Sequence, residues 1–128
     1  MTSLNNDDLR ILINGDIRNN GIWNCNYTNL IGTSAQKIYQ ADNRFFDSYI
    51  TVSNPSGDIR AESNITITKD LNLNGATLDM DDRILNVQGW LTNGYINRAI
   101  LYNGYLTNIT SMDNLRITGK VTLDDNNI

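Results

Sequence analysis

The stretch that decides the fold is ITITKDLNLNGATL, residues 65–78. Isoleucines alternate with threonines in its first part and leucines alternate with asparagines in its second part. Each part therefore predicts a short strand with one apolar and one polar face. The Asn74-Gly75 dipeptide that follows tolerates the positive φ of a tight turn. The stretch as a whole predicts short strands separated by sharp turns.

The same alternation recurs through the second half of the chain. Further pairs of apolar residues two positions apart are Leu85 and Val87, Leu115 and Ile117, and Val121 and Leu123. The sequence NGYIN from Asn93 is nearly repeated ten residues later as NGYLTN from Asn103. There are also 21 asparagines in 128 residues. These features are typical of stacked coils, where identical Asn side chains hydrogen-bond along the stack.

The patterns predict an all-β chain in which residues 58–128 form a short-stranded parallel β-helix-like solenoid. A meander of β-hairpins is the alternative, because the Asn-Gly pairs at 74–75 and 93–94 are also strong hairpin signals. Residues 1–33 are predicted as an N-terminal β-strand arm. Residues 34–57 are predicted to contain either a short helix or an extended linker, and then a strand and a turn. The helix is favoured by the spacing of Ile38, Ala41 and Phe45.

The N-terminal arm carries more apolar surface than a short hairpin can bury alone. We therefore expect this arm to attach the chain to a larger particle. The residues expected to make the attachment are Ile11, Ile13, Ile22, Trp23 and Tyr27.

Composition and charge argue against several classes of function. The net charge is −4 with a pI near 4.5, and the ten basic residues are spread singly, so no nucleic-acid surface is expected. The lack of histidine excludes the usual zinc sites and His-based triads, and we predict no cofactor and no metal. The single cysteine, Cys25, excludes an internal disulfide and is expected to be buried. The first eight residues lack the features of a secretory signal and no apolar run is long enough for a bilayer, so no membrane insertion is expected.

The densest group of acidic residues is Asp79-Met80-Asp81-Asp82. Two carboxylates can hydrolyse a glycosidic bond when they lie about 5 to 9.5 Å apart across a groove. In a strand or turn, however, Asp79 and Asp81 share one face with Met80 opposite, and Asp81-Asp82 is ordinary turn chemistry. We therefore predict a solvated turn here, and no enzymatic activity.

The most aromatic part of the chain has two interpretations. Exposed rings on a solenoid can stack on sugars, and they also suit subunit interfaces, where Tyr and Trp are enriched. The candidate residues for a subunit interface or for sugar stacking are Trp90, Tyr95, Tyr102 and Tyr105.

Over residues 59–128 the sequence resembles the parallel β-helix of phage tailspikes, fibres and related pectate-lyase-like proteins. The stretch 65–78 carries this resemblance, because an alternating strand followed by Leu-x-Leu-Asn-Gly-x-x-Leu commonly forms an early rung in those proteins. The resemblance implies a homotrimer and an N-terminal segment that binds other virion proteins.

We therefore expect a structural virion protein: a small phage fibre, spike base or decoration protein whose β-helical part projects from the particle. The alternative is a carbohydrate-binding or polysaccharide-degrading tailspike fragment that acts on host surface carbohydrate.

Overall fold

The computed structural model describes residues 9–123. Over this range the chain is all-β, and its parallel sheet winds into a β-solenoid of about 6 turns, which confirms the predicted fold class. Residues 1–8, whose sequence lacks the features of a secretory signal, lie outside the described residues, as do residues 124–128 of the predicted repeat region. The strands are β1 (Arg10–Ile13), β2 (Ile17–Asn19), β3 (Trp23–Leu30), β4 (Gln36–Gln40), β5 (Phe46–Val52), β6 (Asp58–Ala61), β7 (Ile65–Ile67), β8 (Leu71–Asn72), β9 (Thr77–Asp113) and β10 (Arg116–Leu123).

Every strand pair in the described part of the chain is parallel. The strand order is β1-β3-β5-β7-β9-β6-β4-β2, with β8 and β10 also paired to β9. Parallel neighbours need a connection that returns to the same end of the sheet, which a tight hairpin cannot supply. The alternative of a hairpin meander is therefore wrong for the described residues.

Inward-facing apolar side chains lie directly above one another along the axis. Ile50, Leu71 and Leu91 are in register on three successive coils, and all three are buried. Such columns form one continuous core along the solenoid. Each fully buried Leu or Ile contributes about 1.5–3 kcal/mol relative to an exposed one.

Strand β9 is bent rather than straight, because several of its residues have a positive φ. These residues are Asp81, Asp82, Asn93, Arg98 and Asn108, with φ between 51° and 63°. Asn and Asp adopt this left-handed conformation more readily than other non-glycine residues, since their short polar side chains hydrogen-bond locally. Each such residue turns the extended chain, so β9 winds around the core.

The solenoid extends further towards the N-terminus than the sequence predicted. Strand β1 pairs in parallel with the second half of β3, and the start of β3 pairs with the start of β5. The strands predicted as an arm are thus its first coils.

The helix predicted as one alternative between residues 33 and 46 is wrong. The segment contains strand β4, in which Gln36, Ile38 and Gln40 are all buried, and a turn with Asn43 at φ 62°. Two glutamines on the inner face hide the period of two, because polar residues at inward positions look like the polar face of a helix. No described residues form a helix long and apolar enough to cross a membrane.

The coils become shorter along the chain. The residue opposite Gln36 is Ile59, 23 positions later; Leu85 lies 20 positions after Ile65, and Arg116 lies 16 positions after Ile100. The solenoid is therefore wider in its first coils than in its last.

Candidate functional site

One face of the solenoid carries a column of outward-facing aromatic side chains. Tyr27 is in register with Tyr49, and Trp90 and Tyr105 contact each other two to three coils further on. Between the two pairs lies Asp70, whose Oδ1 accepts a hydrogen bond from the backbone N–H of Trp90 at 2.8 Å. We call Tyr27, Tyr49, Trp90 and Tyr105 the aromatic column.

In the first pair of the aromatic column, both rings are covered by cations. The guanidinium of Arg10 lies 4.1 Å from the centre of the Tyr27 ring, and Lys69 Nζ lies 5.2 Å from the centre of the Tyr49 ring. The two rings are 5.9 Å apart. Each cation–π contact at an exposed site contributes about 0.5–1 kcal/mol. One face of each tyrosine is therefore already in use within the chain.

The second pair of the aromatic column, Trp90 and Tyr105, is exposed to solvent. The rings of Trp90 and Tyr105 are 4.1 Å apart at an angle of 55°, and the residues are 45% and 36% exposed. Among the described residues no cation lies over either ring. The pair borders a groove of about 400 Å³, whose other lining residues are Gln88, Gly89, Asn103, Gly104, Lys120 and Thr122.

Two of the residues that line the groove, Gly89 and Gly104, are glycines that a larger residue could not replace without strain. A Cβ at Gly89 would lie 2.3 Å from Asp70 Oδ1, the atom that accepts from the Trp90 N–H. Gly104 has φ +152°, a conformation that residues with a Cβ rarely adopt. Asn103 is fixed beside them, because its Nδ2 donates to Asn86 Oδ1 at 3.0 Å.

The other two predicted aromatic residues lie elsewhere. Tyr95 is exposed on the face that carries β6, where its backbone N–H donates to the Ala76 carbonyl at 3.0 Å. Tyr102 borders a separate groove of about 470 Å³ together with Ile84 and Asn86. The structure therefore brings Trp90 and Tyr105 together but not all four residues.

The residues predicted to attach the chain to a particle are mostly engaged in the first coils. Ile13 and Trp23 pack against the core, and the Trp23 ring lies 5.5 Å from the Phe46 ring. Ile11 is half-buried, Tyr27 belongs to the aromatic column, and Ile22 is exposed.

The acidic group is bound by the side chain of Arg98. Arg98 binds Asp79 through two hydrogen bonds, of 2.7 and 3.0 Å, and its Nη1 lies 3.0 Å from Asp81 Oδ1. The hydrogen bond from Arg98 lowers the pKa of Asp79, against a smaller opposing effect of burial. Met80 is buried on the opposite face, and Asp81 and Asp82 form the predicted exposed turn. Because a general acid needs a raised pKa, Asp79 is poorly suited to donate a proton.

The structure contains a buried polar cluster that the sequence pattern does not predict. The hydroxyl oxygens of Thr28 and Ser48 are 2.8 Å apart, and Cys25 Sγ lies 3.3 Å from the Thr28 oxygen. Cys25 is free and buried, as predicted. The available signal was a small polar residue at an inward position of strands β3 and β5.

The described residues contain no group of three or more acidic or cysteine side chains placed to hold a metal ion. Two groups of predicted residues are thus brought together in the structure: the aromatic pair Trp90 and Tyr105 beside a groove, and the acidic group bound by Arg98. Comparison with protein-family models, with curated proteins and with solved structures gives no match to this chain.

Proposed function

We propose that the protein is a structural solenoid module of a fibre- or spike-like assembly, such as a phage virion, and that it works by stacking end-on against another subunit. The observation that carries this proposal is the exposed apolar face of the last described coil.

Strand β10 pairs only with β9 among residues 9–123. Ile117 lies in register with the buried Leu101, and Leu123 with the buried Leu106. Yet Ile117 is 57% exposed and Leu123 is 52% exposed. Within residues 9–123, these two side chains continue the core columns and no further coil covers them.

An exposed strand edge with apolar side chains is a template for association with another chain. Stacked repeats bury their core only when a neighbour or a cap covers the last one. We propose that other copies of the chain supply this cover in a homotrimer, in which the last coils of three chains meet around the threefold axis. Closed rotational symmetry of this kind forms no open filament. The first coils would then attach to other virion proteins.

The native mass of the 128-residue chain at micromolar concentration tests this proposal. We expect a trimer, and we expect Ile117→Asp to shift it to a monomer by placing a charge in the covered face. Leu12→Asp is the matched control, because Leu12 is equally exposed but lies in β1, at the opposite end. A stable, soluble wild-type monomer would refute the homotrimer.

Polysaccharide degradation is less well supported, because Arg98 holds both Asp79 and Asp81. We propose that the chain releases no sugar from polysaccharides. Release of reducing or unsaturated sugars that disappears in Asp79→Asn would contradict this.

A further inference from the structure

We infer that the groove beside Trp90 and Tyr105 binds a polysaccharide, with one sugar ring stacked on the open aromatic pair. This inference is independent of the end-on assembly proposed above. From β10 the groove uses only Lys120 and Thr122, whereas the assembly contact is assigned to Ile117 and Leu123.

The chemistry of the groove suits a sugar ring. One face of a pyranose ring consists of C–H bonds with slight positive character, and aromatic faces are negative, so the two attract. The rim of the same ring carries hydroxyl groups that both donate and accept. Gln88, Asn103, Lys120 and Thr122 place amide, ammonium and hydroxyl groups around the rings. A volume of about 400 Å³ falls within the range of sites for small ligands.

The surface that surrounds the two rings is polar. The outward positions next to the rings on the same strands are Gln88, Thr92, Asn103 and Thr107, and none of them is aliphatic. A protein interface of ordinary size buries a more continuous apolar centre with a polar rim. Two isolated rings among hydrogen-bonding side chains fit a ligand that alternates apolar faces with hydroxyls.

The two pairs of rings in the aromatic column differ in whether cations cover them. Arg10 and Lys69 already cover Tyr27 and Tyr49, whereas the rings of Trp90 and Tyr105 are open. Binding should therefore be confined to the second pair. This makes Tyr49 a matched control on the same face of the same solenoid.

Affinity electrophoresis of the full chain tests the inference, with gels that contain one soluble polysaccharide each: dextran, galactomannan, polygalacturonate or hyaluronate. We expect at least one of them to retard the wild type. Trp90→Ala should weaken that binding at least tenfold, and Gln88→Ala several-fold, whereas Tyr49→Ala and Tyr102→Ala should leave it unchanged. Circular dichroism of each variant checks that the fold is retained.

A second measurement tests the same site without replacing Trp90. The chain has two tryptophans, so Trp23→Phe leaves Trp90 as the only indole. The polysaccharide that retards the protein should then change the fluorescence of Trp90 and protect it from acrylamide.

Three results would overturn the inference. The first is that no polysaccharide in the panel retards the wild type. The second is that Tyr49→Ala or Tyr102→Ala weakens binding as much as Trp90→Ala. The third is that Trp90→Ala lowers the oligomeric mass without changing retardation, which would assign the face to contacts between copies. A failure of Ile117→Asp to change the mass would bear on the assembly alone.

Discussion

In the coils formed by residues 9–61 most corners are closed by buried polar side chains, whereas in those formed by residues 77–123 the chain turns at residues with positive φ, most of them asparagine or aspartate. Gln36 and Asn54 illustrate the first arrangement: Gln36 donates to the Ile13 carbonyl, and Asn54 donates to the Ser34 carbonyl at 2.6 Å. Asn93 and Asn108 illustrate the second, because both have φ near 60° and their amides bond to each other at 3.0 Å.

The difference follows from coil length. A coil of 21–23 residues has longer corner segments, whose backbone groups point inward and need partners. Buried amide side chains supply them. A coil of 16–17 residues turns at single residues, so it needs only a left-handed conformation at each corner. Among the described residues no polar side chain after Asn54 is buried.

The largest effect on stability is expected from the removal of one buried amide side chain in the first coils. Gln36 accepts from the Gly32 N–H and the Asn54 amide, and it donates to the carbonyls of Ile13 and Gly15. Gln36→Leu keeps the size but leaves these groups unpaired. We expect a loss of about 3–6 kcal/mol in the free energy of unfolding, measured by urea denaturation.

The loss should also be local. Because each coil contacts only its neighbours, hydrogen exchange should show reduced protection in residues 9–61 and retained protection in residues 85–109. Gln88→Leu is the control, since Gln88 is exposed, and it should change stability by less than about 0.5 kcal/mol. Equal effects of the two substitutions would show that the buried amides do not hold the first coils.

The same contrast explains what the sequence could predict. In the second half nearly every inward residue is apolar, so the period of two in Leu71 and Leu73 or Leu85 and Val87 is directly visible. In the first half Thr28, Ser48 and the two glutamines of β4 face inward and break the binary pattern. The parallel solenoid was therefore predicted where the core is apolar, and a helix was allowed where it is not.

The candidate site was predictable only in part. Trp90 and Tyr105 could be singled out as exposed rings, but their pairing depends on a coil length of 15 residues at that point, and Tyr27 and Tyr49 lie 22 residues apart. Because the coil length changes, no constant period connects the four rings. The sequence also does not show that cations cover the rings of Tyr27 and Tyr49, since Lys69 reaches Tyr49 from the next coil.

In the later coils, Asn93 has two roles at one corner. It has φ 63°, and its amide bonds to both Asn72 and Asn108, at 3.1 and 3.0 Å. Asn93→Gly keeps the backbone conformation and removes these bonds together with a third, from Asn93 Nδ2 to Thr92 Oγ1 at 3.3 Å. We therefore expect a loss of about 0.5–1.5 kcal/mol. Asn93→Ala should cost about 1–2 kcal/mol more, because alanine disfavours the left-handed region. Equal losses in thermal denaturation would show that the amide bonds, not the backbone conformation, make asparagine necessary at this corner.

The smallest expected effect concerns the surface of the last coils, where Arg98 binds Asp79. Both side chains are partly exposed, so solvent screens the pair, and Asp79→Asn should lower the Tm by at most about 2 °C at pH 7. The pKa of Asp79 is lowered from its ordinary value of 3.8, so the folded state gains stability from this carboxylate above about pH 4 and loses it as the pH falls through the folded pKa. The Tm difference between wild type and Asp79→Asn should therefore shrink from pH 5 towards pH 2, and also in 1 M NaCl.

Asp113→Asn, which alters an exposed carboxylate outside this cluster, should show no such narrowing of the Tm difference. A difference that stayed constant over this pH range would mean that Asp79 stabilises the last coils through its shape and its hydrogen bond from the Asp81 N–H rather than through its charge.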